Sequence, residues 1–260
     1  MVRVRAAGVC GSDLHVYRGA ETGLDAGTVM GHELAGEVVA TGRAVAGFRL
    51  GDLVVSPFTT SCGACFYCAI GLTARCVRGQ LLGWVEDGRG LHGAQAELVR
   101  VPLADSTLVR VPEGAALEEA LLAGDVLATG WFAAESAGAA GRTLAVVGCG
   151  PVGLMAVLAA REQGAARVFA LDGVPERLAL AARYGGEPID VSGGGAAERV
   201  REATDGRGAD AAVEAVGSPA ATRLAFDLVR PGATIAAVGV HTERHLAIAA
   251  GEAYDKNLTY

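Results

Sequence analysis

The stretch from Thr143 to Gly173, TLAVVGCGPVGLMAVLAAREQGAARVFALDG, constrains the fold more than any other part of the chain. Leu144-Ala145-Val146-Val147 is a short apolar run with the length and composition of a strand buried on both faces. Gly148-Cys149-Gly150-Pro151-Val152-Gly153 follows at once as a G-x-G-x-x-G turn. Val152 to Gln163 is rich in Ala, Leu and Met and has no internal breaker, which predicts a helix stopped by Gly164. Val168-Phe169-Ala170-Leu171 predicts a second buried strand, ending in Asp172. This order suits a dinucleotide. The first glycine permits a tight turn, the second lets backbone approach a pyrophosphate, and the third lets helix and strand pack closely. The helix N-terminus then faces the anion with free N–H groups and the positive end of its dipole. Gly148, Gly150, Pro151, Val152 and Gly153 are therefore candidate cofactor contacts. Asp172 can accept hydrogen bonds from both hydroxyls of an adenosine ribose and would repel a 2′-phosphate, which favours NAD over NADP.

Alternation of strand and helix continues beyond Asp172. Helices are predicted at Pro175 to Tyr184, Ala196 to Thr204 and Pro219 to Val229. Strands are predicted at Ile189 to Val191, Ala209 to Val216 and Ala233 to Val238, the last after a turn at Pro231-Gly232. Asn257-Leu258-Thr259-Tyr260 reads as a sixth strand that has barely begun. The pattern predicts an α/β doubly wound parallel sheet. Before it the texture is β-rich and punctuated by glycine to about Pro112, with strands at Val2 to Val9, Leu34 to Ala40, Leu53 to Val55 and Ala96 to Val101. From Leu117 it turns helical. A β-rich domain over 1–135 and a nucleotide-binding domain over 136–260 follow from this change.

The 260 residues suffice for two domains, with 51% hydrophobic and 5% aromatic residues. No apolar run approaches membrane-span length, and the N-terminal MVRVRAAGVCGSD is too short in its apolar part for a signal peptide. A net charge of −7 without a basic cluster argues against nucleic acid as a partner. Four of the six cysteines crowd into one loop, which reads as metal binding in a reducing compartment and points to a soluble, cytoplasmic enzyme.

That loop is Cys62-Gly-Ala-Cys65-Phe-Tyr-Cys68 followed by Cys76, a C-x2-C-x2-C-x7-C spacing. Four thiolates can close tetrahedrally on a structural zinc with no open position; disulfides or free thiols are the alternative. A second site must be assembled from separated residues. Cys10 sits in a polar loop Val9-Cys10-Gly11-Ser12-Asp13-Leu14-His15, His32 in Gly31-His32-Glu33, and Asp125 at a helical turn before Thr129-Gly130. One Cys, one His and one carboxylate make an acceptable catalytic zinc set, with Asp13 available to orient the His32 ring. Taken singly, Cys10 could equally be a small buried residue and His32 a structural one.

GVCGSDLH, GHELAGEVVATG, the four-cysteine loop, D-x-x-x-T-G and GCGPVG together resemble the zinc-dependent medium-chain alcohol dehydrogenases, in their order and over essentially the whole chain. The resemblance implies an incomplete GroES-like catalytic domain and a Rossmann domain whose last strand is incomplete. It implies that Cys10, His32 and Asp125 bind the catalytic zinc, with Glu33 an outer or exchanging ligand. Ser12 would take the alcohol proton and His15 pass it to solvent through the cofactor ribose. Thr129 would contact the nicotinamide, Arg177 would assist Asp172, Val238 would complete the cofactor set, and Phe58 would line the substrate pocket. The activity implied is hydride transfer between NAD and an alcohol or polyol, or the aldehyde or ketone in reverse. The loop SPFTTSCGACFYCAIG and GAQAELVRVP look most like the formaldehyde-dehydrogenase-like branch. A dimer or tetramer is implied for full-length relatives.

Relatives of this kind extend beyond both ends of the chain, so a second reading is a catalytically inactive protein that binds NAD and structural zinc only. A third is a zinc-independent, NADPH-using reductase, which Asp172 and the Cys10/His32/Asp125 set oppose. His92 reads as a loop hydrogen-bonder with an active-site group as the alternative, His241 and His245 as solvated, and Cys149 as a small filler.

Overall fold

The structure, a computed structural model, describes residues 1–260. The chain forms two compact units, Met1–Asp125 and Val126–Tyr260. The division falls ahead of the 135/136 boundary read from the sequence, because the helix at Val126–Ser136 packs onto the rest of the second unit.

In the first unit, seven short strands alternate with loops and small helices. They are β1 (Val2–Ala7), β2 (Leu34–Val38), β3 (Leu53–Ser56), β4 (Trp84–Glu86), β5 (Arg89–Leu91), β6 (Leu98–Val99) and β7 (Val109–Arg110). An antiparallel sheet runs β6-β1-β2-β3-β7, and β4 pairs with β5 as a separate hairpin. Val2, Leu34, Val38, Val54 and Val99 point into one apolar core with Leu82, Leu91 and Leu108. Four helices decorate this unit: α1 (Gly11–Tyr17), α2 (Phe66–Ala69), α3 (Ala104–Thr107) and α4 (Leu117–Gly124), the last packed on β1, β2 and β3. The stretch read as a loop at Val9 to His15 is therefore mostly helix. Cys10 is its extended N-terminal cap, and the Asp13 carboxylate accepts the Cys10 N–H at 2.9 Å, satisfying a donor that the helix leaves free. The strand expected at Ala96 to Val101 shrinks to two paired residues.

The second unit opens with α5 (Val126–Ser136) and then alternates strictly. Its elements are β8 (Thr143–Val147), α6 (Pro151–Glu162), β9 (Arg167–Asp172), α7 (Pro175–Arg183), β10 (Glu187–Asp190), α8 (Ala196–Glu202), β11 (Ala209–Glu214), α9 (Pro219–Leu228), β12 (Val229–Ala237) and α10 (Ala250–Asp255). The sheet is parallel throughout, in the order β10-β9-β8-β11-β12. Both faces are buried: Leu144 and Val146 of β8 enter one apolar cluster while Ala145 and Val147 enter the other. That explains why β8 reads as a continuous apolar run rather than an alternating one. β12 begins at Val229 instead of after Pro231-Gly232. Its pairing jumps from Ala209↔Val229 to Ala211↔Thr234, so the proline and glycine bulge out of one uninterrupted strand. Thr259 bridges Thr234 in parallel, starting a sixth strand on the edge of β12. No helix is long and apolar enough to cross a membrane.

Candidate metal centres and cofactor site

Two metal-capable clusters form in the first unit. In one, the thiol sulfurs of Cys62, Cys65, Cys68 and Cys76 all lie within 4.8 Å of one another. Cys65 Sγ is 3.5 Å from Cys68 Sγ and 3.9 Å from Cys76 Sγ. Thiolates about 2.3 Å from a tetrahedral zinc stand roughly 3.8 Å apart, whereas a disulfide would bring two sulfurs to about 2 Å. All six cysteines are free. Backbone N–H groups of Cys62 and Arg78 reach Cys76 Sγ at 3.2 and 3.4 Å. The Cys65 thiol is pulled down to about 6, chiefly by the backbone amides of Cys68 and Val77. Burial, with hydrogen bonds shared with Cys65 and Cys76, pushes Cys68 up to about 11. A thiolate ready beside sulfurs at metal-ligand spacing fits structural zinc.

The second cluster joins residues twenty or more positions apart. Donor atoms of Cys10, His32 and Glu33 lie within 4.8 Å of one another. Asp125 Oδ2 stands 3.5 Å from His32 Nε2, and Asp13 Oδ1 stands 3.6 Å from His32 Nδ1 on the far side of the ring. Asp125 caps the C-terminal end of α4, which delivers it to this cluster. His32 and Glu33 are held by a clamp of backbone bonds: Gly93 N to Val29 O at 2.7 Å, Ala94 N to Gly31 O at 2.8 Å and Gln95 N to Met30 O at 2.9 Å. Gly31 has φ 97°, and a Cβ there would strike Gln95. Glu33 lies against Gly8, where any larger residue would collide with its carboxylate.

Electrostatics at this cluster are strongly anionic. Burial alone would lower the His32 imidazole, yet the hydrogen bond to Cys10 and the charges of Cys10, Asp13 and Asp125 outweigh it and hold it up at about 9. Burial first, then the charge of Asp125, pushes Glu33 above the usual carboxylate range. Asp13 Oδ1 is buried without a hydrogen-bond partner and is aimed at the imidazole. Acidic and thiol donors converging on one imidazole fit a divalent cation.

The remaining first-unit candidates stand nearby. Ser12 Oγ is 3.4 Å from His32 Nε2, and His15 is half-buried three residues further along α1. Phe58 is half-buried beyond the end of β3. His92 Nδ1 accepts the Val29 N–H at 3.2 Å, the loop role read for it. Sequence reasoning missed Gln95, whose Nε2 donates to Asp13 Oδ2 at 3.3 Å. A glutamine in a surface-like GAQAEL segment carries no signal of such a contact.

In the second unit the three turn glycines have three different surroundings. Gly148 takes φ 90° to make the turn. Gly150 has open space where a side chain would stand, and Gly153 is packed onto the Gly148 carbonyl. Pro151 and Val152 open α6 behind Gly150, its N-terminal cap. Asp172, at the end of β9, accepts from Cys149 N at 2.8 Å and Val174 N at 2.9 Å, and Arg177 Nη1 lies 3.5 Å from Oδ2. Each carboxylate oxygen thus accepts one backbone N–H. Thr129 is half-buried on α5; Val238 is half-buried just past β12 and donates its N–H to Glu214 O at 2.8 Å. His241 is not simply solvated: its Nε2 lies 2.9 Å from Oε2 of the fully buried Glu214. The signal for Glu214 was an acid inside the apolar run 209–216.

Residues 1–113 match the alcohol dehydrogenase GroES-like domain, and residues 151–260 match the zinc-binding dehydrogenase family. A medium chain reductase/dehydrogenase, ucsI, of Acremonium sp is 50% identical over 93% of this chain and 84% of its own length. Zinc-type alcohol dehydrogenase B of Aspergillus flavus is 45% identical over 99% of this chain, which spans only 61% of that relative. The solved alcohol dehydrogenase TADH from Thermus sp. ATN1 superposes with a TM-score of 0.91 at 40% identity, covering 99% of this chain and 75% of that one. With the GroES-like and zinc-binding dehydrogenase models both matched, and a cysteine cluster able to hold a metal ion, the chain belongs to the zinc-dependent medium-chain alcohol dehydrogenase family of oxidoreductases.

Proposed function

We propose that this protein is an NAD(H)-dependent, zinc-dependent dehydrogenase acting on an alcohol or polyol and, in reverse, on the aldehyde or ketone. The observation that carries the reading is the convergence of Cys10, His32, Glu33 and Asp125 within one unit that also carries the four-cysteine cluster. Cys10, His32 and Asp125 would hold the catalytic zinc, with Glu33 as an outer or exchanging ligand. When bound, the metal supplies a Lewis acid and the dinucleotide a hydride acceptor.

The chain's own groups do the rest. Ser12 removes the alcohol proton, and His15, on the same face of α1 three residues on, carries it to solvent. Asp13 keeps the His32 ring in place. Phe58 lines the substrate pocket, and Thr129 with Val238 meets the nicotinamide. The amide-rich turn at Gly148, Gly150 and Gly153 receives the pyrophosphate, with Pro151 and Val152 opening the helix behind it. Asp172, steadied by Arg177, binds the adenosine ribose and disfavours a 2′-phosphate, so NAD is preferred to NADP. Thiolates kept available to zinc suit a reducing, cytoplasmic setting.

Elemental zinc per chain, taken with NADH formation over a panel of primary, secondary and polyol substrates, tests the reading. About two zinc ions per chain with turnover supports it. His32→Ala should then lose turnover while keeping NADH affinity. One zinc or fewer, with NADH bound but no turnover, supports instead the non-catalytic relative.

A further inference from the structure

Asp13, Glu33, Asp172 and Glu214 are the buried carboxylates of this chain, and the first three belong to the sites above. Glu214 does not, and it is the most deeply buried, at 0% exposure. Its Oε1 accepts the N–H groups of Val216 and Gly217, each at 2.8 Å, and Oε2 meets His241 Nε2 at 2.9 Å. Its main-chain carbonyl accepts Val238 N at 2.8 Å and Gly239 N at 3.1 Å. One residue thus ties together the turn after β11, the end of β12 and the loop that follows. The two segments touch through bare backbone: a Cβ on Gly217 would strike Val240, and one on Gly239 would strike Gly217.

The position of this knot gives it meaning. Parallel sheets of this kind receive a dinucleotide at the C-terminal ends of the strands flanking the switch point, here β8 and β11. Asp172 ends β9, on one side of β8, and takes the adenosine half. The glycine turn at the end of β8 takes the pyrophosphate. Continuing in the same direction across the sheet, the nicotinamide half falls to the ends of β11 and β12, where Glu214 and His241 stand. The knot also reaches the glycine turn, since Gly148 abuts the Val216 side chain. Burying an acid is costly unless all its acceptors are filled, and His241 fills the one that backbone does not reach.

We propose that His241 is a positioning residue for the nicotinamide half of the dinucleotide, latching the loop after β12 onto the end of β11 through Glu214. The proposal rests on the dinucleotide-binding reading above. Calorimetric titration of NADH and of ADP-ribose, which lacks the nicotinamide, into wild type, His241→Ala and His241→Gln tests it. His241→Ala should weaken NADH roughly tenfold while ADP-ribose changes by less than about twofold. His241→Gln, which keeps an N–H donor, should recover most of the loss. Unchanged NADH affinity, equal weakening of both ligands, or no recovery in His241→Gln overturns the latch while leaving the dehydrogenase reading intact. A lowered unfolding temperature with unchanged NADH affinity would make the pair merely structural and overturns it too. Failure of wild type to bind NADH at all overturns the dehydrogenase reading and the latch with it.

Discussion

Asp13 Oδ1 lies 3.6 Å from His32 Nδ1, on the opposite side of the ring from Asp125 and Ser12, which face Nε2. The imidazole is therefore gripped through one nitrogen and presented through the other. Orienting partners of this kind typically change metal affinity about 10–100-fold. Asp13→Asn should weaken catalytic-site zinc by that order, read as zinc lost to a competing chelator. Gln95→Leu, which frees Asp13 Oδ2 of one donor, should produce a smaller loss in the same direction.

Cys65 sits centrally in the four-cysteine cluster, near both Cys68 and Cys76. Cys65→Ser should take zinc from about two per chain to about one and lower the thermal unfolding midpoint. Zinc content unchanged in this variant would remove the structural-zinc assignment.

Asp172, with Arg177 3.5 Å away, is the acid proposed to meet the adenosine ribose. Asp172→Ser removes the repulsion of a 2′-phosphate and leaves the arginine. NADH affinity should fall about tenfold and the preference for NADH over NADPH should shrink or reverse, measured by fluorescence titration with both.

Asp210 links three strands: its carboxylate accepts Thr143 N at 2.9 Å and Arg230 Nε at 2.7 Å. Burial alone would raise this carboxyl, but those two partners outweigh it and hold it below the usual carboxylate range. A depressed folded-state pKa stabilises the fold above the unfolded value of about 3.9 and loses that stabilisation as pH falls through the folded one. Asp210→Asn should cost roughly 1–2 kcal/mol near neutral pH, less any solvent screening. The gap to wild type should narrow below about pH 4, followed by urea unfolding across the acid range.

Much of this architecture was legible in residue order because local rules decide it. The run at 144–147 is apolar at every position since β8 is covered on both faces, Gly148 holds a positive φ, and Gly153 packs where a side chain would strike the Gly148 carbonyl. Four cysteines within fifteen residues can hardly avoid one another, so their cluster needed no knowledge of distant contacts. Relationships between remote segments were decided only by the folded chain. α1 forms where a loop was expected because Asp13 satisfies its own helix cap, and that same act turns the other oxygen toward His32. Gln95, eighty-two positions away, closes on Asp13 because the Gly93–Gln95 backbone is bonded to the loop before His32. His241 loses its solvated character because β12 runs beside β11 and delivers it to a buried acid. Spacing along a chain encodes neighbours within a turn or a few residues, whereas these pairs owe their proximity to strand register and loop closure, which exist only once the sheets have formed.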